Sequence, residues 1–468
     1  MELCGIKRET CKPVKQIITA KLKLLATPEQ FQDLHRTQLA YRDALNFISQ
    51  YAFKHGKMSN EKRLHEGTYY EIRRRFKLPS EMTNNAIRQV GVTYKGLWTK
   101  AKKNAVHRRN KITRKLFKGL DRPSKYVSPT VTYNFGYDYG FKSEQQLSIR
   151  VLERRIIMPY RGYEKHVALI RKGANCKAAR LWYDKPRKQF YLLVALELEI
   201  VDPAPGVQQT IVGVDVGQRY LATTATMAEK QFFFPGKAVR AKADHYARLQ
   251  KRLQHKGTRS ATRRLRSLGG RERRFKLDVN HVIAKTIVEQ HPQAFICLEN
   301  LTGIRDRTGR CKRRWKGKKI LPQTQKQRRA DRHVSRWAFA ELHDMIMYQA
   351  TLTGSVAIKV DADYTSQACP LCGYTDAKNR PGHGLLFICQ NKLCLYQLRT
   401  GRSYTLHADL VGARNIAMRA LCVWQDWMQT GQLSVVPGSE CGPDASDSEL
   451  KAAKRSRLER YADLRWES

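Results

Sequence analysis

A chain of 468 residues has room for about two to four domains with apolar cores of their own, so it need not lean on disulfides to fold. It carries 88 Lys and Arg against 41 Asp and Glu, a net charge of +47 that is self-repulsive unless a polyanion neutralises it, and nucleic acid is the expected partner. No apolar run reaches the ~18 residues of a membrane span and the start, "MELCGIKRETCK", lacks the apolar centre of a secretory signal, so a cytoplasmic protein is expected rather than a membrane or secreted one.

"KQIITAKLKLLATPEQFQDL" predicts a strand over 16–25 and then a helix, with Thr27 as N-cap, Pro28 in the first turn and Gln30 closing a capping box. Phe31, Leu34, Tyr41, Leu45 and Ile48 continue at helical spacing. A second helix is predicted from "LPSEMTNNAIRQVGVTYKGLW", with Ile87, Val90, Tyr94 and Leu97 on one face. It runs into residues 101–125, which hold ten Lys and Arg against one Asp; this is either a solvated face or a phosphate-binding one. From 126 the pattern turns to short aromatic and β-branched runs, ending in a hairpin around "DKPRK". These runs and the first strand form one expected β-rich module, interrupted by the helices; "VDPAPG" at 201–206 reads as a linker.

An α/β domain is expected next, with apolar strands at 210–216 and 294–298, a strand at 219–225, a long basic helical stretch at 238–290, an arginine-rich loop and a further helix and strand. The loop from Arg305 to Arg332 has thirteen Lys and Arg against two Asp, with Trp315 inside it, suited either to stacking on a base or to local packing. From 431 onward the composition predicts a flexible tail with a short final helix.

Three acids in this α/β part sit in unusual positions. Asp215 interrupts "IVGVDVG", Glu299 ends "FICLEN" and Asp409 opens the helix "ADLVGARNIAMRALCVW". Each alone is readable as a turn cap, a strand-end acid or a helix-start acid. Together they suggest carboxylates converging at one sheet edge. Hard oxygen ligands of that kind suit two Mg²⁺ ions, which activate water and stabilise the leaving oxygen in phosphodiester hydrolysis. Glycines 213 and 217 beside Asp215 would let a metal and a nucleic-acid backbone approach.

Eleven cysteines, seven of them scattered, argue for a reducing compartment. The other four fall in two pairs, Cys369 and Cys372 in "CPLCG", then Cys389 and Cys394. That spacing predicts a structural Zn²⁺ held by four thiolates, with no open coordination position.

In that order, "GVDVGQRYLATTA", "FICLENLTGIR", "YTSQACPLCG" and "HADLVGARNIAMR" resemble the sequence blocks of TnpB-like proteins of insertion sequences, compact relatives of type V CRISPR effectors. The likeness covers roughly 205–422, and "LLATPEQFQDLHRTQLAYRDALNF" is similar to the family's opening helix.

The resemblance implies an RNase H-like RuvC nuclease domain (205–364 and 405–430) with a zinc-ribbon insertion (365–404). It also implies an N-terminal oligonucleotide-binding, wedge-like β-barrel (1–26 and 126–204) interrupted by a helical recognition domain (27–125), the whole a multidomain α/β plus β-barrel fold with a tail at 431–468. The implied activity is RNA-guided cleavage of double-stranded DNA beside a short flanking motif, by a monomer or dimer bound to its guide RNA. Asp215, Glu299 and Asp409 match the family's catalytic acids, and Cys369, Cys372, Cys389 and Cys394 its ribbon ligands. The second pair departs from the family's C-x-x-C. The nucleic-acid contacts expected are Lys102, Lys103, Arg108, Arg109, Lys111, Arg114, Lys115, Arg305, Arg313, Arg314, Trp315 and Arg414, the last beside the scissile phosphate.

Three rival readings fit the acids less well. A nuclease-inactive RNA-guided repressor would not need all three acids. A strand-joining transposase usually orders its acids Asp, Asp, Glu, unlike the order here. A basic structural RNA-binding protein would not require acids at matched positions.

Overall fold

The computed structural model describes residues 14–109, 115–185, 187–200, 206–208, 210–217, 219–301, 314–316, 319–321, 339–437, 441 and 446–466. They fall into two compact units, Pro13–Ile200 and a unit containing Val201–Ser468.

In the first unit, β1 (Val14–Leu24) is an alternating strand whose Ile18, Ala20, Leu22 and Leu24 are buried, as a period of two requires. Its capping box forms as the sequence predicts: Thr27 accepts from the Gln30 amide, the Gln30 side chain accepts from that of Thr27, and α1 (Pro28–Lys54) follows. Leu34, Tyr41, Leu45 and Ile48 are fully buried along α1, against α2 (Glu61–Phe76) and α3 (Ser80–Arg109). The sequence reading did not separate α2, which Asn60 caps through the Arg63 amide.

The strands after the helices are β2 (Val131–Tyr133), β3 (Tyr139–Lys142), β4 (Gln146–Arg150), β5 (Arg155–Arg161), β6 (Asn175–Asp184) and β7 (Gln189–Ile200), with α4 (Glu164–Arg171) between β5 and β6. They join β1 in an antiparallel sheet ordered β2-β6-β7-β1-β5-β4-β3. A bridge between Phe135 and Tyr139 links the residues after β2 to β3, so the sheet is a nearly closed barrel. The predicted hairpin is β6/β7, paired from Asn175↔Glu197 to Asp184↔Gln189.

The second unit is built on a mixed sheet ordered β10-β9-β8-β11-β14, from β8 (Thr210–Asp215), β9 (Tyr220–Thr226), β10 (Gln231–Pro235), β11 (Ala294–Glu299) and β14 (Val356–Val360). The pairs β8/β11 and β11/β14 are parallel, and β8/β9 and β9/β10 antiparallel. Between β11 and β14 lie a short ribbon, β12 (Arg314–Lys316) with β13 (Lys319–Leu321), and α7 (Phe339–Leu352). The long basic stretch is two helices, α5 (Lys237–Lys256) and α6 (Arg259–Gln290). They separate at Gly257, whose φ of +64 ends the first, while Thr258 caps the second.

Parallel strands are covered on both faces, and the alternation of their side chains decides what each face meets. Val212, Val214, Ile296 and Leu298 pack with Ile283, Ile287, Leu342 and Ile346 of α6 and α7. Phe295, Cys297 and Ile358 pack on the other face with Ile416, Ala420 and Trp427 of α9 (Ala408–Thr430). Burying each of these larger apolar side chains contributes roughly 1.5–3 kcal/mol.

Beyond β14 the chain forms β15 (Leu386–Ile388), α8 (Leu395–Thr400) and β16 (Thr405–His407), with β15 paired to β16, before entering α9. The short final helix expected within the tail is present and runs 16 residues, α10 (Asp447–Ala462), capped by a Ser446/Glu449 box; the departure is that it is docked, with Trp466 beyond it buried. Polar composition suggested disorder, but α10 docks through ion pairs and aromatic rings rather than an apolar stripe. Among the described residues no helix is long and apolar enough to cross a membrane.

Candidate functional site

The two strand acids reach one place by parity. Residues 211, 213 and 215 of β8, and 295, 297 and 299 of β11, point to the α9 face, and the register pairs Val214 with Leu298. One step further along both strands stand Asp215 and Glu299, and their side chains hydrogen-bond. Asp409 comes to them from the first turn of α9. His407 caps that helix, its Nδ1 accepting from the Asp409 amide at 3.3 Å. The imidazole is held edge-on between Tyr220 and Phe233, with ring centroids 5.2 and 5.4 Å away.

Glycines make this approach possible, though not as expected. A Cβ on Gly213 would collide with the backbone of Ala413 and Ala417, so Gly213 admits helix α9 rather than a ligand. A Cβ on Gly412 would lie 3.0 Å from Asp215 Oδ1, and one on Gly217 3.8 Å from Asp409 Oδ2. The helix and the loop after β8 therefore close around the acids.

Burial first, then the charges of Glu299 and Asp409, push Asp215 well above the usual carboxylate range, although part of the residue remains open to solvent. Burial raises Glu299 as well, opposed by the hydrogen bond from Asp215 and the Arg419 guanidinium. Burial also raises Asp409, opposed by neighbouring His407 and by the charges of Arg380 and Arg219. Like charges crowded in a buried place thus disfavour full ionisation of the three acids. A cation between them would offset that cost.

The four sulfurs of Cys369, Cys372, Cys389 and Cys394 lie within 4.8 Å of one another, and among the described residues they are the one such group of three or more His, Cys, Asp or Glu ligand atoms. The first pair forms a knuckle: the Gly373 amide donates to the Cys369 carbonyl at 2.8 Å, and Gly373 takes φ +72. The hydrogen bond from the buried Cys369 thiol, then the Tyr374 amide and Asn391, holds Cys372 down at about 4, while Cys369 is raised as the donor. Burial pushes Cys389 up to about 12. The four-residue spacing of the second pair has a local cause, since Cys394 is the N-cap residue of α8 and its carbonyl accepts from Leu398.

Lys102, Lys103, Arg108 and Arg109 are exposed at the end of α3, with Lys115 exposed beyond it, all in the first unit. Lys111, Arg114, Arg305 and Arg313 lie outside the described residues; Arg314 and Trp315 lie in β12. Arg414 is mostly enclosed: it donates to the Tyr404 hydroxyl at 3.0 Å, faces Glu229 at 3.8 Å and covers the Trp466 ring at 5.0 Å. Sequence reasoning missed Arg219, Arg380 and Arg419 near the acids, because no local pattern marks a cation brought in by tertiary folding. The H-A-D start of α9, with a capping-type side chain two residues before the acid, was a signal for His407.

The likeness read from the four sequence blocks is found independently. A protein-family model described as "Probable transposase" matches residues 194–303, and one described as "Cas12f1-like, TNB domain" matches 339–416. The CRISPR-associated endodeoxyribonuclease Cas12f2 of a Micrarchaeota archaeon is 29% identical over 258 residues, covering 53% of this chain and 43% of that protein. The "Putative RNA-guided DNA endonuclease InsQ" of Escherichia coli is 24% identical over 314 residues, 64% of this chain and 69% of that one. The chain thus spans less than half of the first relative and about two thirds of the second. A Cas12f1 complex with guide RNA and target DNA, solved by cryo-electron microscopy, shares the fold with a TM-score of 0.51 at 14% identity, over 83% of this chain and 81% of that one. The TnpB-like resemblance stands, and with it a fold shared with Cas12-type effectors.

Proposed function

We propose that this protein is an RNA-guided DNA endonuclease, cutting target DNA beside a short flanking motif, with the second unit as its RNase H-like, RuvC-type nuclease and the cysteine insertion as a zinc ribbon. The observation that carries the reading is the meeting of Asp215, Glu299 and Asp409, from two adjacent parallel strand ends and one helix start. Likeness to proteins named as RNA-guided or CRISPR-associated endonucleases supports it.

The donor set suits the ions: three hard, crowded carboxylates whose mutual repulsion a divalent cation would relieve. When bound there, Mg²⁺ would activate a water and stabilise the leaving oxygen of a phosphodiester, with two ions the arrangement proposed. For their part, Asp215, Glu299 and Asp409 would serve as oxygen ligands in their ionised form. His407 fixes the first turn of α9 and so the direction of Asp409, while Arg219 and Arg380 hold positive charge where a phosphate backbone would pass. The four thiols suit Zn²⁺ completely and hold no open position for chemistry. In the first unit, the barrel sheet and inserted helices would be the wedge and recognition domains, with the α3 cations on phosphates. Base pairing with the guide would then supply most of the sequence specificity.

The test is purified protein with its copurifying RNA, Mg²⁺ and a matching duplex. Both strands are cut by the wild type, and Asp215→Ala abolishes cutting while RNA binding persists. Undiminished cutting by that variant defeats the assignment; guided binding without cutting by the wild type would favour the repressor reading.

A further inference from the structure

The connector from β14 to the first cysteine, residues 361–368, is gripped from two sides. From α9, one helical turn apart, Asn415 and Arg419 donate to it. Asn415 Nδ2 reaches the carbonyls of Thr365 (2.6 Å) and Ala368 (2.9 Å), and Arg419 those of Asp361 and of Asp363 (2.8 Å). All four contacts are to backbone, so the helix reads the connector's path rather than its side chains. From the other side comes the segment 446–466. Arg457 pairs with the buried Asp361 at 2.8 Å, Lys454 with Asp363 at 2.8 Å, and Arg460 takes both oxygens of Asp426 on α9 at 2.9 and 3.0 Å. Tyr461 lies against the Arg419 guanidinium at 4.7 Å. The segment then runs on to the knuckle itself: the Trp466 amide donates to the Pro370 carbonyl at 2.7 Å, and a Cβ on Gly373 would stand 2.8 Å from the Ala462 carbonyl.

We infer that 446–466 is a strap whose residues, with Asn415 and Arg419, act as positioning groups for DNA cleavage: they fix the cysteine knuckle relative to the helix that carries Asp409. This rests on the proposed endonuclease function. None of these groups touches the reacting atoms. Their effect passes through α9, which holds Asp409 at its start and the knuckle's root at its middle. A displacement of about 1 Å at a site of this kind costs up to about a hundredfold in rate, so a loosened knuckle reaches the chemistry without altering an acid.

The test uses the full chain with its RNA. Hydrogen exchange of the amides of 361–373 reads the grip and target cleavage reads the consequence. Arg457→Glu sets a carboxylate against buried Asp361 and is expected to speed exchange there, and slow cleavage, by about tenfold or more, with RNA binding unchanged. Because that variant also endangers folding, Arg460→Asp is paired with the exchanged double variant Asp426→Arg/Arg460→Asp. The single change loosens 361–373 and slows cleavage, and the double restores both. Unchanged exchange in both single variants overturns the strap, and faster exchange with wild-type cleavage overturns its positioning role. A wild-type chain that binds RNA but cuts nothing overturns the endonuclease reading, while the exchange data still decide whether the strap grips.

Discussion

The sulfurs of Cys369, Cys372, Cys389 and Cys394 converge within 4.8 Å, whereas Asp215, Glu299 and Asp409 crowd like charges into a buried place. The difference follows from how each site is made. The knuckles are local: turns, amide donors and the start of α8 aim each sulfur through backbone bonds that exist whatever the charge state. The acids come from distant parts of the chain, carried by sheet register and by the packing of α9 on Gly213. The cysteine cluster is thus pre-shaped by its own loops, while the acid cluster is held together against its own repulsion by the rest of the fold.

The largest expected effect is on that second kind of site. Asp215→Ala should lower guided cleavage by about a thousandfold or more, read in single-turnover assays, with guide binding intact. Next, Cys369→Ala should remove zinc, read by elemental analysis, and open 365–404 to proteolysis, because a structural zinc contributes folding energy directly. If instead the two sites responded alike, with the cysteine variant fully folded and zinc-loaded, the contrast would fail.

The third prediction concerns stability. The folded-state values of Asp215, Glu299 and Asp409 are raised, so their contribution to stability is complete below the unfolded carboxylate value of about 4 and is lost as pH rises through the folded values. In chelator at neutral pH, Asp215→Asn should therefore melt higher than wild type, by about a few degrees, and the gap should close toward pH 4. A gap that persisted unchanged at acid pH would mean that charge repulsion is not its cause. The smallest effect is Gly412→Ala. The added methyl presses on Asp215, and cleavage should fall about tenfold, while better helix propensity keeps stability within about 1 kcal/mol of wild type.

Much of this was legible in the sequence where the physics is local. Thr27 and Gln30 announced α1, "DKPRK" announced the β6/β7 hairpin, and the cysteine spacing announced the cluster. The three acids were visible as misfits in apolar surroundings. What the sequence did not disclose is tertiary: that parity turns Asp215 and Glu299 to the α9 face, that Gly213 is a seat for a helix, and that Arg414 is packed against Trp466. The helix α10 was half legible, since its S-x-x-E cap was there to be read, but a helix docked by Arg457, Arg460 and Tyr461 has no apolar periodicity to betray it.

The seat of α9 on Gly213 also sets an order in time. Asp215 and Glu299 leave the ribosome well before the helix that covers them, and the knuckle cysteines follow while Asp409 is still unmade. A nascent chain therefore holds no complete set of acids until α9 has emerged and closed on the sheet. Synthesis itself would keep the acid site incomplete until that helix is in place.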